Sequence, residues 1–106
     1  MIVKTFDLKV EDFITHLDKP VYAKVSRTII LLRTFGNKLR MPYSKSLGNN
    51  LFELRARGQQ EVRVLYTFYD DKAVLLHAFI KKTQDTPLRE IETAKAKLKT
   101  LTPLET

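Results

Sequence analysis

The chain has 106 residues, a length that fits one domain built on one core, spanning residues 1–106. Hydrophobic residues at 43% and charged residues at 29% exclude a chain too polar to bury a core, and the absence of cysteine excludes a disulfide framework, a thiolate metal site and a cysteine nucleophile. The 19 basic against 12 acidic side chains, a formal charge of +7, direct attention to polyanions, with nucleic acid ahead of an acidic protein or a membrane surface.

Residues 1–8 alternate Val3, Thr5 and Asp7 with Ile2, Lys4 and Phe6, which predicts a short strand. Across residues 10–17, Val10, Phe13, Ile14 and Leu17 recur at i, i+3, i+4 and i+7, an amphipathic helix that Lys19-Pro20 ends. Pro20 suits the first turn of a second helix. There Val21, Tyr22, Val25, Ile29, Leu32 and Phe35 keep helical spacing, and Gly36-Asn37 supplies the stop. The two helices should form a hairpin with one apolar stripe. Residues 37–50 read as an irregular basic loop holding Lys38, Arg40, Pro42, Lys45 and Gly48.

Three strands follow. Residues 51–57 set Phe52, Leu54 and Ala56 against Glu53, Arg55 and Arg57, and Gly58-Gln59-Gln60 makes a turn. Residues 62–69 place Val62, Val64, Tyr66 and Phe68 on one face, and Asp70-Asp71 makes a tight turn. Residues 73–80 are almost wholly apolar, as a central strand covered on both faces requires. Thr86-Pro87 predicts an N-cap and a first-turn proline for a last helix over residues 88–101. Its stripe of Leu88, Ile91, Ala94, Leu98 and Leu101 is narrow, and Pro103 should stop it. The fold class is therefore α+β: an antiparallel sheet made of the N-terminal strand and a three-stranded meander, with a two-helix hairpin and a C-terminal helix on one face.

The basic residues cluster by strand parity. Arg55 and Arg57 share the face opposite Phe52 and Leu54, Arg63 lies opposite Val62 and Val64, and Lys81-Lys82 leaves the next strand at the same end. Cations carried on rigid strands can hold an anion without relying on loop order, and a nucleic-acid backbone is the anion that phosphate contacts serve best. Solvated surface charge explains each residue singly just as well, and Glu53 or Glu61 could pair with Arg55 or Arg63 and neutralise part of the patch. Tyr43, in the basic loop, could stack on a base or simply pack the loop. His77, in an apolar strand, is a candidate proton-transfer group, although a hydrogen-bonded structural histidine is the plainer reading. His16 lies on the solvent side of the first helix, and no zinc spacing or phosphate-binding glycine loop is present.

Three segments together carry a family resemblance: Leu51-Phe52-Glu53-Leu54-Arg55, then Val62-Arg63-Val64-Leu65-Tyr66, then Ala78-Phe79-Ile80-Lys81-Lys82-Thr83 ahead of Thr86-Pro87. In this order and spacing they resemble the phage-derived Gp49-like group of HigB toxins, within the RelE/ParE superfamily of type II toxin–antitoxin systems. The resemblance covers residues 43–98 by motif; the preceding strand and helices match by order alone. It implies a small RelE-like fold and an endoribonuclease that cuts mRNA on the ribosome without a cofactor. In such an mRNA interferase the RNA 2′-hydroxyl is the attacking group. It also implies a cognate helix-turn-helix antitoxin of HigA type, with mRNA and ribosome as partners and no membrane.

By position in the resemblance, Arg63 is the arginine for the scissile phosphate. Lys81 and Lys82 meet transition-state charge, and Lys45 and Arg55 contact RNA; Arg57, from the basic strand face, and Tyr43, from the basic loop, join them as RNA-binding candidates on the residue reading alone. His77 and Glu53 are the candidates for the general base. The chain departs from the pattern in two ways: residues 88–106 hold no tyrosine or histidine, and Glu53 occupies one place of the superfamily's lysine pair. Two other readings fit the charge: a non-enzymatic basic module binding nucleic acid or an acidic protein, and a ParE-like toxin directed at gyrase. The longest apolar run, residues 28–32, lies between Arg27 and Arg33, and no secretory signal opens the chain, so a cytoplasmic protein is expected.

Overall fold

Asp7 is where strand gives way to helix. In the computed structural model, which describes residues 1–101, it follows β1 (Ile2–Thr5) and caps α1 (Leu8–Thr15) by accepting from the Val10 amide at 3.1 Å. Burial pushes the Asp7 carboxyl upward, but the Val10 amide and the Lys97 ammonium outweigh it and the pKa ends below 3.8. The second helix, α2 (Lys19–Phe35), has Pro20 in its first turn and ends at Gly36, whose φ of 56° suits a residue without a side chain. After a 3-10 turn (Gly36–Lys38) come β2 (Ser44–Gly48), β3 (Leu51–Ala56), β4 (Val62–Tyr69), β5 (Lys72–Ile80) and α3 (Leu88–Leu101). The predicted stop of α3 at Pro103 lies outside the described residues.

The α+β class, the helix hairpin, the meander and the C-terminal helix are all as the sequence predicts, and the structure adds two strand pairings. The five strands form one sheet in the order β1-β5-β4-β3-β2. Strand β1 joins β5 in parallel, so the sheet is mixed rather than wholly antiparallel. Strand β2 pairs with β3 inside the segment read as an irregular loop. Asn49 and Asn50, at φ of 53° and 61°, make the two-residue hairpin turn between them, and Asp70 and Asp71 do the same between β4 and β5.

Period-two alternation divides the sheet into two apolar faces. Phe52, Leu54, Ala56, Val62, Val64, Tyr66, Ala73 and Leu75 pack with Val10, Ile14, Val21, Val25 and Leu32 of the helix hairpin. The register slips by one residue of β5 opposite Leu65 and Tyr66, so Ala78 returns to the face of Leu75. Tyr66, 1% exposed, shares a hydrogen bond of 2.6 Å with the Ser44 hydroxyl, which ties β2 to the core. Burial raises its phenol above 10.0, against smaller downward pulls from Ser44 and Arg40.

The other face is not open to solvent. Leu51, Leu65, Val74, Leu76 and Phe79 form a second cluster that Ile91, Ala94 and Leu98 of α3 cover. The helices thus pack on both faces, a correction to the expected one-sided arrangement. The meander's outward positions contain too much apolar surface to leave wet. This matters for the site, because Glu53, Arg55 and Arg63 lie on the face that α3 covers. Among the described residues, no helix is long and apolar enough to cross a membrane.

Candidate anion-binding cleft

Antiparallel pairing sets Arg55 directly opposite Arg63. Two like charges facing each other across strands are unfavourable unless something lies between them. That something is Glu53. Its Oε1 accepts from Arg55 Nε at 3.0 Å and lies 3.7 Å from Arg63 Nε. Its Oε2 accepts from the Thr86 hydroxyl, which reaches across from the segment before α3. Glu53 is 1% exposed and Arg63 3%, so the group is an interior ion cluster. Such a cluster is tolerated because most of its polar atoms are paired.

Arg63 donates from Nη1 to Glu61 Oε2 at 2.9 Å, and its Nε is a buried side-chain nitrogen with no hydrogen-bond partner among the described residues. The expectation of a solvent-facing phosphate arginine is therefore corrected. The α3 face is covered, so Arg63 sits inside, already engaged by two carboxylates. It still forms the floor of a cleft of about 390 Å³, whose other lining residues are Arg57, Glu61, Lys81, Lys82, Thr83 and Gln84. The Lys81 amide donates to the Glu61 carbonyl at 2.7 Å, which fixes the end of β5 against the entry to β4. Arg57 and Lys82 are exposed, Lys81 and Glu61 half-buried. Four cations and one carboxylate thus line the cleft.

The other predicted residues fall elsewhere. Arg55 is bonded to Glu53. Lys45, exposed on β2, stands opposite Glu53 in the register, and the carbonyl of exposed Tyr43 accepts from the Arg55 amide at 2.7 Å. Neither residue lines the cleft. His77 is not brought to the cations. It pairs through Nε2 with Glu90 of α3 at 2.8 Å, lies against the Phe79 ring, and lines a separate cavity of about 240 Å³ with Lys9, Phe13, Thr93 and Lys97. Glu53 is equally unsuited to the expected base role, since both of its oxygens are engaged in the interior.

Sequence reasoning gave Thr86 the wrong partner. It reads as a helix cap, yet its hydroxyl serves Glu53, 33 residues away. Thr83 enters the sequence reading only as the end of the Lys81-Lys82 motif, with no role of its own, and Gln84 does not enter it. Only their closeness to Lys81-Lys82 could have pointed to them.

A family model described as phage-derived protein Gp49-like matches residues 12–99. No curated protein matches the chain.

Proposed function

The chain belongs to the phage-derived Gp49-like protein family, a toxin-like group, and on that premise we propose that it is the HigB-type toxin of a type II toxin–antitoxin pair. In this reading it is a RelE-like mRNA interferase that cuts mRNA on the ribosome. The observation that carries the reading is the convergence of Arg57, Lys81 and Lys82 around buried Arg63 in one open cleft.

The reaction asks for little beyond charge and position. The RNA 2′-oxygen attacks the adjacent phosphorus while the bond to the 5′-oxygen of the next nucleotide breaks. A 2′,3′-cyclic phosphate remains on one product and a 5′-hydroxyl on the other. The proton lost by the 2′-hydroxyl balances the one gained by the leaving oxygen. Charge grows on the non-bridging oxygens, where the Lys81 and Lys82 ammonium groups and the Arg57 guanidinium meet it. Arg63 meets the phosphate from the floor of the cleft. The cognate partner is a small helix-turn-helix antitoxin that closes the basic cleft or blocks entry to the ribosome.

The test is expression from a tightly repressed promoter, alone and with the neighbouring reading frame, followed by mapping of transcript 5′ ends. Growth arrest with new 5′-hydroxyl ends inside translated mRNA, both relieved by the neighbour and by Lys81→Ala/Lys82→Ala, is expected. An SOS response without cleavage would replace the reading with a gyrase-directed toxin. Salt-sensitive RNA binding without cleavage or arrest would leave a binding module.

A further inference from the structure

The two carboxylates beside Arg63 are held very differently. Glu53 is 1% exposed and has both oxygens committed, one to Arg55 and one to Thr86. The Glu61 side chain is 42% exposed and reaches Arg63 through Oε2 alone, at 2.9 Å. The backbone of Glu61 is pinned by the Lys81 amide. Its carboxylate can therefore leave by side-chain rotation, with no movement of the strand. Water already solvates that carboxylate, so releasing it costs little. What it uncovers is a desolvated guanidinium at the bottom of a cationic cleft, where an oxyanion bonds more strongly than at the rim.

We propose that Glu61 is a built-in competitor for the polyanion. Its carboxylate holds the Arg63 nitrogen that a backbone phosphate takes on binding, and its charge sets how tightly the cleft grips RNA. The inference rests on the reading of the cleft as the RNA phosphate site and adds how that site is regulated. It explains how a buried, doubly paired arginine can serve a ligand at all: one anion is exchanged for another on the same nitrogen, and Arg63 is never left without one. The opposite role is that of an orienting clamp that aims Arg63 at the phosphate. The two roles predict opposite signs when the charge is removed.

The experiment uses the full chain and a 3′-labelled all-2′-O-methyl RNA hexamer, which offers phosphates but no attacking hydroxyl. Its binding is followed by fluorescence anisotropy at one fixed salt concentration. Glu61→Gln and Glu61→Ala should each tighten binding, by about threefold to tenfold, as removal of one nearby negative charge requires. Lys82→Ala should weaken it. Equal or weaker binding by both Glu61 variants, with Lys82→Ala still weakened, overturns the competitor role and leaves the cleft reading standing. No change in any of the three overturns both. Thermal unfolding of the same samples separates a lost fold from a lost contact.

Discussion

Arg55 and Arg63 face each other across β3 and β4, and the buried Glu53 carboxylate between them is what makes that pairing tolerable. The consequence for stability is asymmetric. Glu53→Gln takes the carboxylate from Arg55 and leaves Arg63 with Glu61 alone, and it should cost about 3 kcal/mol, the usual scale for breaking a buried pair by removing one partner. Glu61→Gln, on the wetted side of the same arginine, should cost less than about 1 kcal/mol. Urea unfolding of the two variants beside the wild type checks the contrast; equal losses would mean that Glu53 is not the keystone of the cluster.

Thr86 joins the segment after β5 to this cluster, because its hydroxyl donates to Glu53. A hydrogen bond to a charged, buried acceptor is worth roughly 1.5–3 kcal/mol. Thr86→Val keeps the shape and removes the donor, so it should lose stability on that scale, whereas Thr86→Ser should recover most of it. Hydrogen exchange should also quicken at the start of α3 in the valine variant. If valine and serine behave alike, the hydroxyl does not anchor α3.

The meander was readable because its cues are local: alternation over residues 62–69, and aspartates able to take positive φ at positions 70 and 71. Strand β2 was not, because Ser44-Lys45-Ser46-Leu47-Gly48 is an edge strand with no apolar alternation, and only the Asn49-Asn50 pair hinted at a hairpin. The gathering of Arg57, Arg63, Lys81 and Lys82 followed from parity and strand order. The burial of Arg63 did not. An arginine alternating with valines reads as outward-facing, and that is wrong only when a helix covers the outward side. The narrow stripe of α3 left its position open, and with it the state of every cation beneath. His77 is hydrogen-bonded, as its plainer reading has it, but the partner, Glu90, is supplied by α3 and has no cue near position 77.

Stability in acid should carry a small, assignable contribution from the α1 cap. The Asp7 pKa is lowered in the folded state, so its contribution is fully present above the unfolded value near 3.8 and is lost as pH falls through the lower folded value. Asp7→Asn can still accept from the Val10 amide but does not titrate. The stability gap between wild type and Asp7→Asn should therefore be constant from neutral pH down to about pH 4 and shrink below it. Denaturant midpoints at closely spaced acid pH values measure this; a gap that stays constant through pH 2 would show that the Asp7 charge adds nothing to the fold.

Salt dependence gives the sharpest test of which lysines meet phosphate. Each ionic contact to a single strand releases condensed counterions and contributes about 0.7 to the slope of log affinity against log salt concentration. Lys82 is exposed at the rim of the cleft and should make such a contact. Lys82→Ala should therefore weaken binding of the non-cleavable hexamer whatever its sequence, and lower the slope by about 0.7. His77→Ala alters the separate cavity under α1 and α3 and should leave the slope as it is. A slope that falls for His77→Ala and stays unchanged for Lys82→Ala would move the RNA path off the β4–β5 end of the sheet and onto the α1–α3 side.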